Sequence, residues 1–332
     1  MFKVISFGEI LVDMLSNKLG GDVDHGTESF TKFPGGAPAN VAAAVARLGG
    51  NAYFAGKISN DMFGVFLSKS LIEMGVKTDC VTYTNTENTA LAFVSLDETG
   101  ERSFEFYRDN SADLNFNQAD FKSNWFGGNG IFHCCSNTLT TNDIFEVTMF
   151  GLWMAKKAGW IVSFDVNLRK NLWTNTDEAS DRIWQCLAIC DLIKLSKEEL
   201  VFLSDGNDES QIIKKMLKNG CALVIVTDGN NLVHYHMKSG SSTQMPPKAD
   251  MVDSTAAGDA FVGGFLYSLA KNDISSDRLH SMEIDNEVLA KSIKLACDCG
   301  AFAVTKKGAF TALANFADIL EFLRNRVDEH KV

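Results

Sequence analysis

Val252-Asp253-Ser254-Thr255-Ala256-Ala257-Gly258-Asp259-Ala260-Phe261 is a turn of small residues that runs straight into an amphipathic helix, Ala260-Phe261-Val262-Gly263-Gly264-Phe265-Leu266. Amide N–H groups in the first turn of a helix lack intrahelical acceptors and carry partial positive charge. Where the side chains are small, those amides can close on an anion and stabilise charge spreading over a transferring phosphoryl group. Ala256, Ala257 and Gly258 are therefore candidate anion-hole residues. Asp259 beside them is a candidate base for an attacking hydroxyl. Taken by its spacing alone, the run is met equally well by Asp253 or Ser254 capping the helix and Asp259 complementing its dipole.

A second motif lies far upstream. Phe33-Pro34-Gly35-Gly36-Ala37-Pro38-Ala39-Asn40 opens the helix Val41-Ala42-Ala43-Ala44-Val45-Ala46-Arg47-Leu48. Paired glycines let backbone approach a ligand closely, and the Asn40 amide can both donate to and accept from hydroxyl groups. On its own this is an ordinary turn before a helix; beside the Asp259 motif it carries weight.

Strand-like and helix-like segments alternate between these motifs, the pattern of a parallel sheet covered by helices on both faces. Strands are expected at Val4–Phe7, Ala52–Ile58, Ile131–Cys134, Ile161–Phe164, Leu192–Leu195 and Ala222–Val226. Helices are expected at Ala39–Leu48, Gly64–Met74, Asp143–Lys157, Ser210–Lys218, Ala257–Ala270, Val288–Val304 and Phe316–Arg326. Two stretches break the rhythm. Leu11–Phe33 is polar and Gly-rich with a short alternation at Glu28–Phe33, and Thr89–Leu96 with Arg102–Tyr107 reads as a hairpin across Asp97-Glu98-Thr99-Gly100. Lacking crossover helices, these form a small β lid (residues 11–33 and 88–109) on a core of residues 1–10, 34–87 and 110–332, all within one domain spanning 1–332.

Composition narrows the function. A formal net charge of −11 argues against a nucleic-acid or anionic-membrane binder, both of which need basic surface. No apolar run reaches the ~18 residues of a membrane span, and Met1–Gly8 enters a strand-like segment without a signal-peptide core, so a cytoplasmic location is expected. The eight cysteines are scattered with no C-x-x-C pair, which suits reduced thiols. His133 beside Cys134-Cys135 is read as core strand, not a metal cluster. There is no Walker A loop, no G-x-G-x-x-G after a strand and no G-x-S-x-G elbow. An NAD oxidoreductase thus has no fingerprint to rest on, and any nucleotide chemistry must use another phosphate cradle.

Together the two motifs resemble the signatures of the PfkB carbohydrate kinases, whose members share the ribokinase-like fold. The resemblance spans the chain from Gly8-Glu9 and Asp13 to Lys307-Gly308-Ala309 and is nearest to bacterial fructokinases. It implies a three-layer α/β/α core with a mostly parallel sheet, a small β lid, and ATP-dependent phosphorylation of a sugar hydroxyl. Asp259 would be the base, and Asp13, Gly35, Gly36, Asn40, Arg108 and Arg169 would hold the sugar. Lys194, Ser196, Glu199, Thr227 and Gly229 would lie beside ATP, with Glu199 organising Mg²⁺ through water. Ser196 stands where many members have Asn, and Leu232 where a second glycine is usual; Asn230-Asn231 would supply left-handed conformations there instead. Ala256 replaces a glycine common in fructokinases.

The resemblance also implies a monovalent cation, K⁺, held by the Asp253 carboxylate and the carbonyls of Thr255, Ala303, Lys306 and Gly308, although Ala312 lacks the serine hydroxyl of ribokinases. D-fructose on its 6-hydroxyl is the expected acceptor, with an aminoimidazole riboside or 2-keto-3-deoxygluconate as alternatives. A non-catalytic sugar sensor on the same fold is the competing class, against which the retained Asp259 speaks. No nucleic-acid or membrane partner is expected, and lid strands offer a route to a homodimer.

Overall fold

Strands and helices alternate along most of the chain in the computed structural model, which describes residues 1–19, 28–96 and 102–329. In chain order the strands are β1 Lys3–Phe7, β2 Leu11–Leu19, β3 Phe30–Gly35, β4 Asn51–Ser59, β5 Lys77–Thr84, β6 Leu91–Leu96, β7 Arg102–Tyr107, β8 Gly130–Cys135, β9 Ile161–Asp165, β10 Leu192–Ser196, β11 Leu223–Thr227, β12 Val233–Met237 and β13 Gly240–Gln244. The helices are α1 Ala37–Arg47, α2 Met62–Glu73, α3 Asn142–Lys157, α4 Thr176–Leu187, α5 Lys197–Ser204, α6 Glu209–Lys218, α7 Ala257–Lys271, α8 Ser276–His280, α9 Glu287–Ala303 and α10 Phe316–Glu329.

The large sheet has nine strands in the order β13-β12-β11-β10-β9-β8-β1-β4-β5. From β11 to β5 every pairing is parallel; β12 and β13 add antiparallel at one edge. From β1 the chain builds outward through β4 and β5, then returns to β8 on the other side and builds the opposite way. The order therefore reverses between β1 and β8, and ligands of open α/β sheets bind outside the carboxyl ends of the strands at such a point.

Alternate side chains of the inner strands feed two cores. Val4, Ile131, Ile161 and Leu192 join Val41 of α1, Leu67 of α2, Phe265 of α7 and Leu289 of α9. Ile5, Phe7, Phe132 and Val162 join Leu152 of α3, Ile183 of α4, Leu200 of α5 and Ile212 of α6. This is the three-layer α/β/α arrangement expected from the sequence. Strands buried on both faces read as continuous apolar runs, as Ile161–Asp165 does.

The approach of α1 to α7 positions the functional residues. A Cβ on Gly263 would lie 2.4 Å from Ala44 Cβ, so only glycine lets the helices come this close. Asn40 and Asp259 each sit four residues, about one turn, before that contact. On the far side of α7, Gly264 admits Cys299 of α9 in the same way.

The second sheet has four strands, β3-β2-β6-β7. β6 and β7 pair antiparallel as the hairpin reading requires, while β2 runs parallel to β6 and antiparallel to β3. The turn at 97–100 lies outside the described residues, as does 20–27 of the Gly-rich stretch. All eight cysteines are buried and free. Among the described residues no His/Cys/Asp/Glu group could hold a metal, and no helix is long and apolar enough to cross a membrane. His133 is a core residue whose Nδ1 lies 3.0 Å from Ser163 Oγ.

Candidate active site

The two sequence motifs meet. Asn40 Nδ2 on α1 donates to Asp259 Oδ2 on α7 at 2.8 Å, across 219 residues of chain. Both open onto a cleft of about 670 Å³ whose wall includes Asp13, Gly36, Arg169, Asp253, Thr255, Ala256 and Gly258. Gly36 has φ 104°, and a Cβ there would lie 2.6 Å from Glu9 O, so the start of α1 requires glycine. Gly35 leaves room for the Asp13 carboxylate, which a Cβ at residue 35 would approach to 2.3 Å.

Asp259 lies in the first turn of α7, beside amides not used within the helix. Burial pushes its carboxyl above the ordinary range, and the Asn40 bond with the charges of Arg169 and Lys194 pulls it part of the way back. The residue before the helix, Ala256, has φ 59°. A left-handed non-glycine residue costs about 1–2 kcal/mol, and such strain gathers at functional sites. Asn167, also on the cleft wall, is a second case at φ 35°.

Lys194 in the middle of β10 reaches the underside of the turn. Its Nζ lies 3.1 Å from each oxygen of Asp165, and it would be 3.3 Å from a Cβ on Gly258. Burial disfavours its charge, but Asp165, Glu199 and Asp259 outweigh that and hold the ammonium protonated. A fixed cation thus underlies the Ala256–Gly258 amides, the arrangement that stabilises a transferring phosphoryl group.

A second cavity of about 450 Å³ includes Thr227, Gly229, Val233, Ala257 and Phe261, and shares Met251, Ser254 and Gly258 with the cleft. The small-residue turn is therefore the common wall of a polar cleft and a more apolar pocket. Gly229 carries a positive φ of 54°; Asn230 and Asn231 do not, so the expected left-handed asparagines are corrected to this one glycine.

Among the expected sugar and ATP residues, Gly35 and Lys194 lie behind the wall, against Asp13 and Gly258, and Arg108, Ser196 and Glu199 line neither cavity. Arg108 follows β7 and is buried against Asp113, with Nε at 2.7 Å and the terminal nitrogen at 2.6 Å. Ser196 caps α5: its Oγ accepts from Glu199 N at 3.1 Å, and Glu199 Oε2 accepts from Ser196 N at 2.7 Å. Glu199 Oε1 accepts from Leu168 N at 2.8 Å, tying β10 to the segment after β9.

The expected cation segments do lie together. Val304 O accepts from Val252 N and Asp253 N, and Asp253 Oδ1 and Oδ2 accept from Thr255 N and Gly308 N, each at 2.8 Å. The Asp253 carboxylate and the backbone around Thr255, Val304 and Gly308 thus converge on one point, an oxygen-rich setting of the kind that suits a monovalent ion.

Glu9, Asn137 and Asn167 line the cleft although motif reasoning did not single them out. They stand just past β1, β8 and β9, at or beside the reversal of strand order, and sheet topology was the signal that would have found them.

A model of the pfkB family of carbohydrate kinases matches residues 1–315. The chain belongs to this family. It is 38% identical over 316 residues to fructokinase-2 of Zea mays, covering 95% of this chain and 92% of that one. The structure of fructokinase with bound ATP from Xylella fastidiosa aligns with a TM-score of 0.91 at 41% identity, covering 98% of this chain and 99% of that one. A double mutant of Vibrio cholerae O395 fructokinase, in a form with fructose, ADP and potassium ion bound, aligns with a TM-score of 0.84 at 33% identity over 97% and 98% of the chains. These place the chain among sugar kinases.

Proposed function

We propose that the chain is an ATP-dependent fructokinase that phosphorylates the 6-hydroxyl of D-fructose, with Asp259 as the base. The observation that carries this reading is the Asn40–Asp259 bond beside the Ala256–Gly258 amides, where the cleft and the second cavity share a wall.

Sugar is held in the cleft by Asp13, Asn40, Arg169 and the backbone at Gly35-Gly36. A carboxylate on a short side chain suits vicinal hydroxyls through charge-assisted bonds. Asn40 fixes one Asp259 oxygen and leaves the other to take the hydroxyl proton, within the reach that general-base catalysis needs. ATP lies in the second cavity against Thr227 and Gly229, with its terminal phosphate over Gly258 and Lys194. The cation–amide pair offsets charge developing on the phosphoryl group. Mg²⁺ would supply further neutralisation when bound, with Asp165, Glu199 and Asp259, the carboxylates around Lys194, as the groups toward which its water shell would turn. K⁺ would be held by Asp253 and the carbonyls at 255, 303, 306 and 308. Arg108 serves by anchoring the lid end through Asp113, and Ser196 by shaping the end of β10.

The chain works as one domain with the small sheet as its lid. Phe104 and Phe106 face the cleft from that sheet, while Phe30, Phe93 and Tyr107 cluster with centroid distances of 5.2 and 5.3 Å, and Tyr107 is 58% exposed. That aromatic surface is where a second copy of the chain docks. Eight free buried thiols suit a reducing compartment, and the cytoplasm is the proposed location.

A coupled ADP-release assay over D-fructose, aminoimidazole riboside, 2-keto-3-deoxygluconate, ribose and glucose tests the function. Fructose is expected to give the highest kcat/KM; ADP release with none of them would remove the kinase reading.

A further inference from the structure

Among the described residues, seven buried side-chain polar atoms have no hydrogen-bond partner within the protein. Three are carboxylate or amide oxygens: Glu9 Oε2, Asn40 Oδ1 and Asn137 Oδ1. All three residues line the one cleft. The others are hydroxyls and an indole N–H, dispersed elsewhere in the chain. Amide carbonyl and ionised carboxylate oxygens can only accept, and leaving them unpaired in a buried site is costly.

Their orientation is fixed by their neighbours. Glu9 Oε1 accepts from Ala37 N at 3.1 Å, in the first turn of α1, and from Asn137 Nδ2 at 2.9 Å. Asn137's nitrogen is thereby committed, so its oxygen is the atom left over. Glu9 is 1% exposed and Asn137 7% exposed. They follow β1 and β8, the strands between which the sheet order reverses.

The charge balance says what donor suits them. Burial raises Glu9, and the nearby Arg108 guanidinium and the Asn137 bond oppose that rise. Arg108 is itself paired with Asp113, so one cation serves two carboxylates, and Glu9 Oε2 is left as an acceptor facing the cleft that a hydroxyl donor would satisfy. The groups acting on Glu9 are Arg108, Asn137 and Asp113, whereas those acting on Asp259 are Asn40, Arg169 and Lys194. The two carboxylates therefore occupy separate parts of the cleft.

Resting on the reading of this cleft as a sugar site, we propose that Glu9 Oε2, held by Asn137, accepts a hydrogen bond from a sugar hydroxyl other than the one phosphorylated and so determines which sugars are taken. The test is Glu9→Gln, which keeps the size and the Oε1 contacts but replaces the second acceptor by a donor. Fructose affinity by calorimetry without nucleotide, and kcat/KM for fructose and each of its monodeoxy analogues, are measured for both proteins.

Glu9→Gln is expected to bind fructose about 10- to 100-fold more weakly, the range of a hydrogen bond to a charged group. The KM for ATP is unchanged, and one monodeoxy analogue is bound equally by both proteins. Equal fructose affinity overturns the proposal, as does the same loss on fructose and every analogue. If Glu9→Gln melts early, Asn137→Ala must reproduce the analogue pattern or the proposal falls. Should the unaltered protein phosphorylate no sugar, the kinase reading fails; should it phosphorylate fructose while Glu9→Gln behaves identically, only this proposal fails.

Discussion

Gly258→Ala separates the stability of the small-residue turn from its chemistry. Gly258 is in the first turn of α7 and has no positive φ, so alanine fits the backbone. By helix propensity the substitution stabilises by up to about 1 kcal/mol. The added methyl, however, lies 3.3 Å from Lys194 Nζ, tighter than an ordinary contact. Lys194 has little freedom to retreat, because two 3.1 Å bonds tie it to buried Asp165. The methyl thus fills the gap in which a phosphoryl oxygen would meet both the ammonium and the turn amides. Losing one such donor costs about 100-fold or more in turnover, which is about 2.7 kcal/mol at about 1.36 kcal/mol per decade. The assay is coupled ADP release at saturating fructose with ATP varied, beside a thermal melt. A melting temperature equal to or slightly above that of the unaltered protein, with kcat/KM for ATP down about 100-fold, is expected. Unchanged turnover would show that phosphate does not dock on this turn.

Four further outcomes are expected. Lys194→Met strands Asp165 beside Glu199 and Asp259 and should cost about 3–5 kcal/mol in urea unfolding; Asp165→Asn in the same protein should restore most of it, and no restoration would refute the pairing. Asp259 must be ionised to act, and its carboxyl lies above the ordinary range, so kcat/KM should fall as pH drops through that raised value; the same shift means that its contribution to stability is present below its unfolded value and lost as pH rises through the folded one. Arg169→Met removes a charge that lowers Asp259, so the acid limb should move to higher pH, and a limb moving down or staying put would contradict the placement. Turnover should rise with KCl at fixed ionic strength, and a flat response would remove the cation from the Asp253 loop.

The parallel core was legible because strands such as Ile131–Cys134 and Leu192–Leu195 are buried on both faces and read as apolar runs. Edges were not. In β5 (Lys77–Thr84) only Cys80 is fully buried, and β13 (Gly240–Gln244) buries no residue fully, so neither carries a hydrophobic signal. β2 was hidden by the Gly-rich residues that follow it, and α4 (Thr176–Leu187) and α5 (Lys197–Ser204) by polar and acidic first turns that read as loop. At the site, the Asp259 and Gly35-Gly36 motifs were legible because each needs small residues at fixed spacing. Glu9 was not, because its partner Asn137 is 128 residues away and only the sheet brings them together. Arg108 and Ser196 show the converse: a family pattern marked the positions, but here a buried ion pair and a helix cap occupy them.

The most direct measurement is turnover of Asp259→Asn with fructose and ATP, set beside its fructose affinity by calorimetry. The variant keeps an acceptor oxygen for Asn40 but no base, so kcat should fall by about 10² to 10⁴ while fructose binds as before. Near-normal kcat in a folded Asp259→Asn protein would contradict the account.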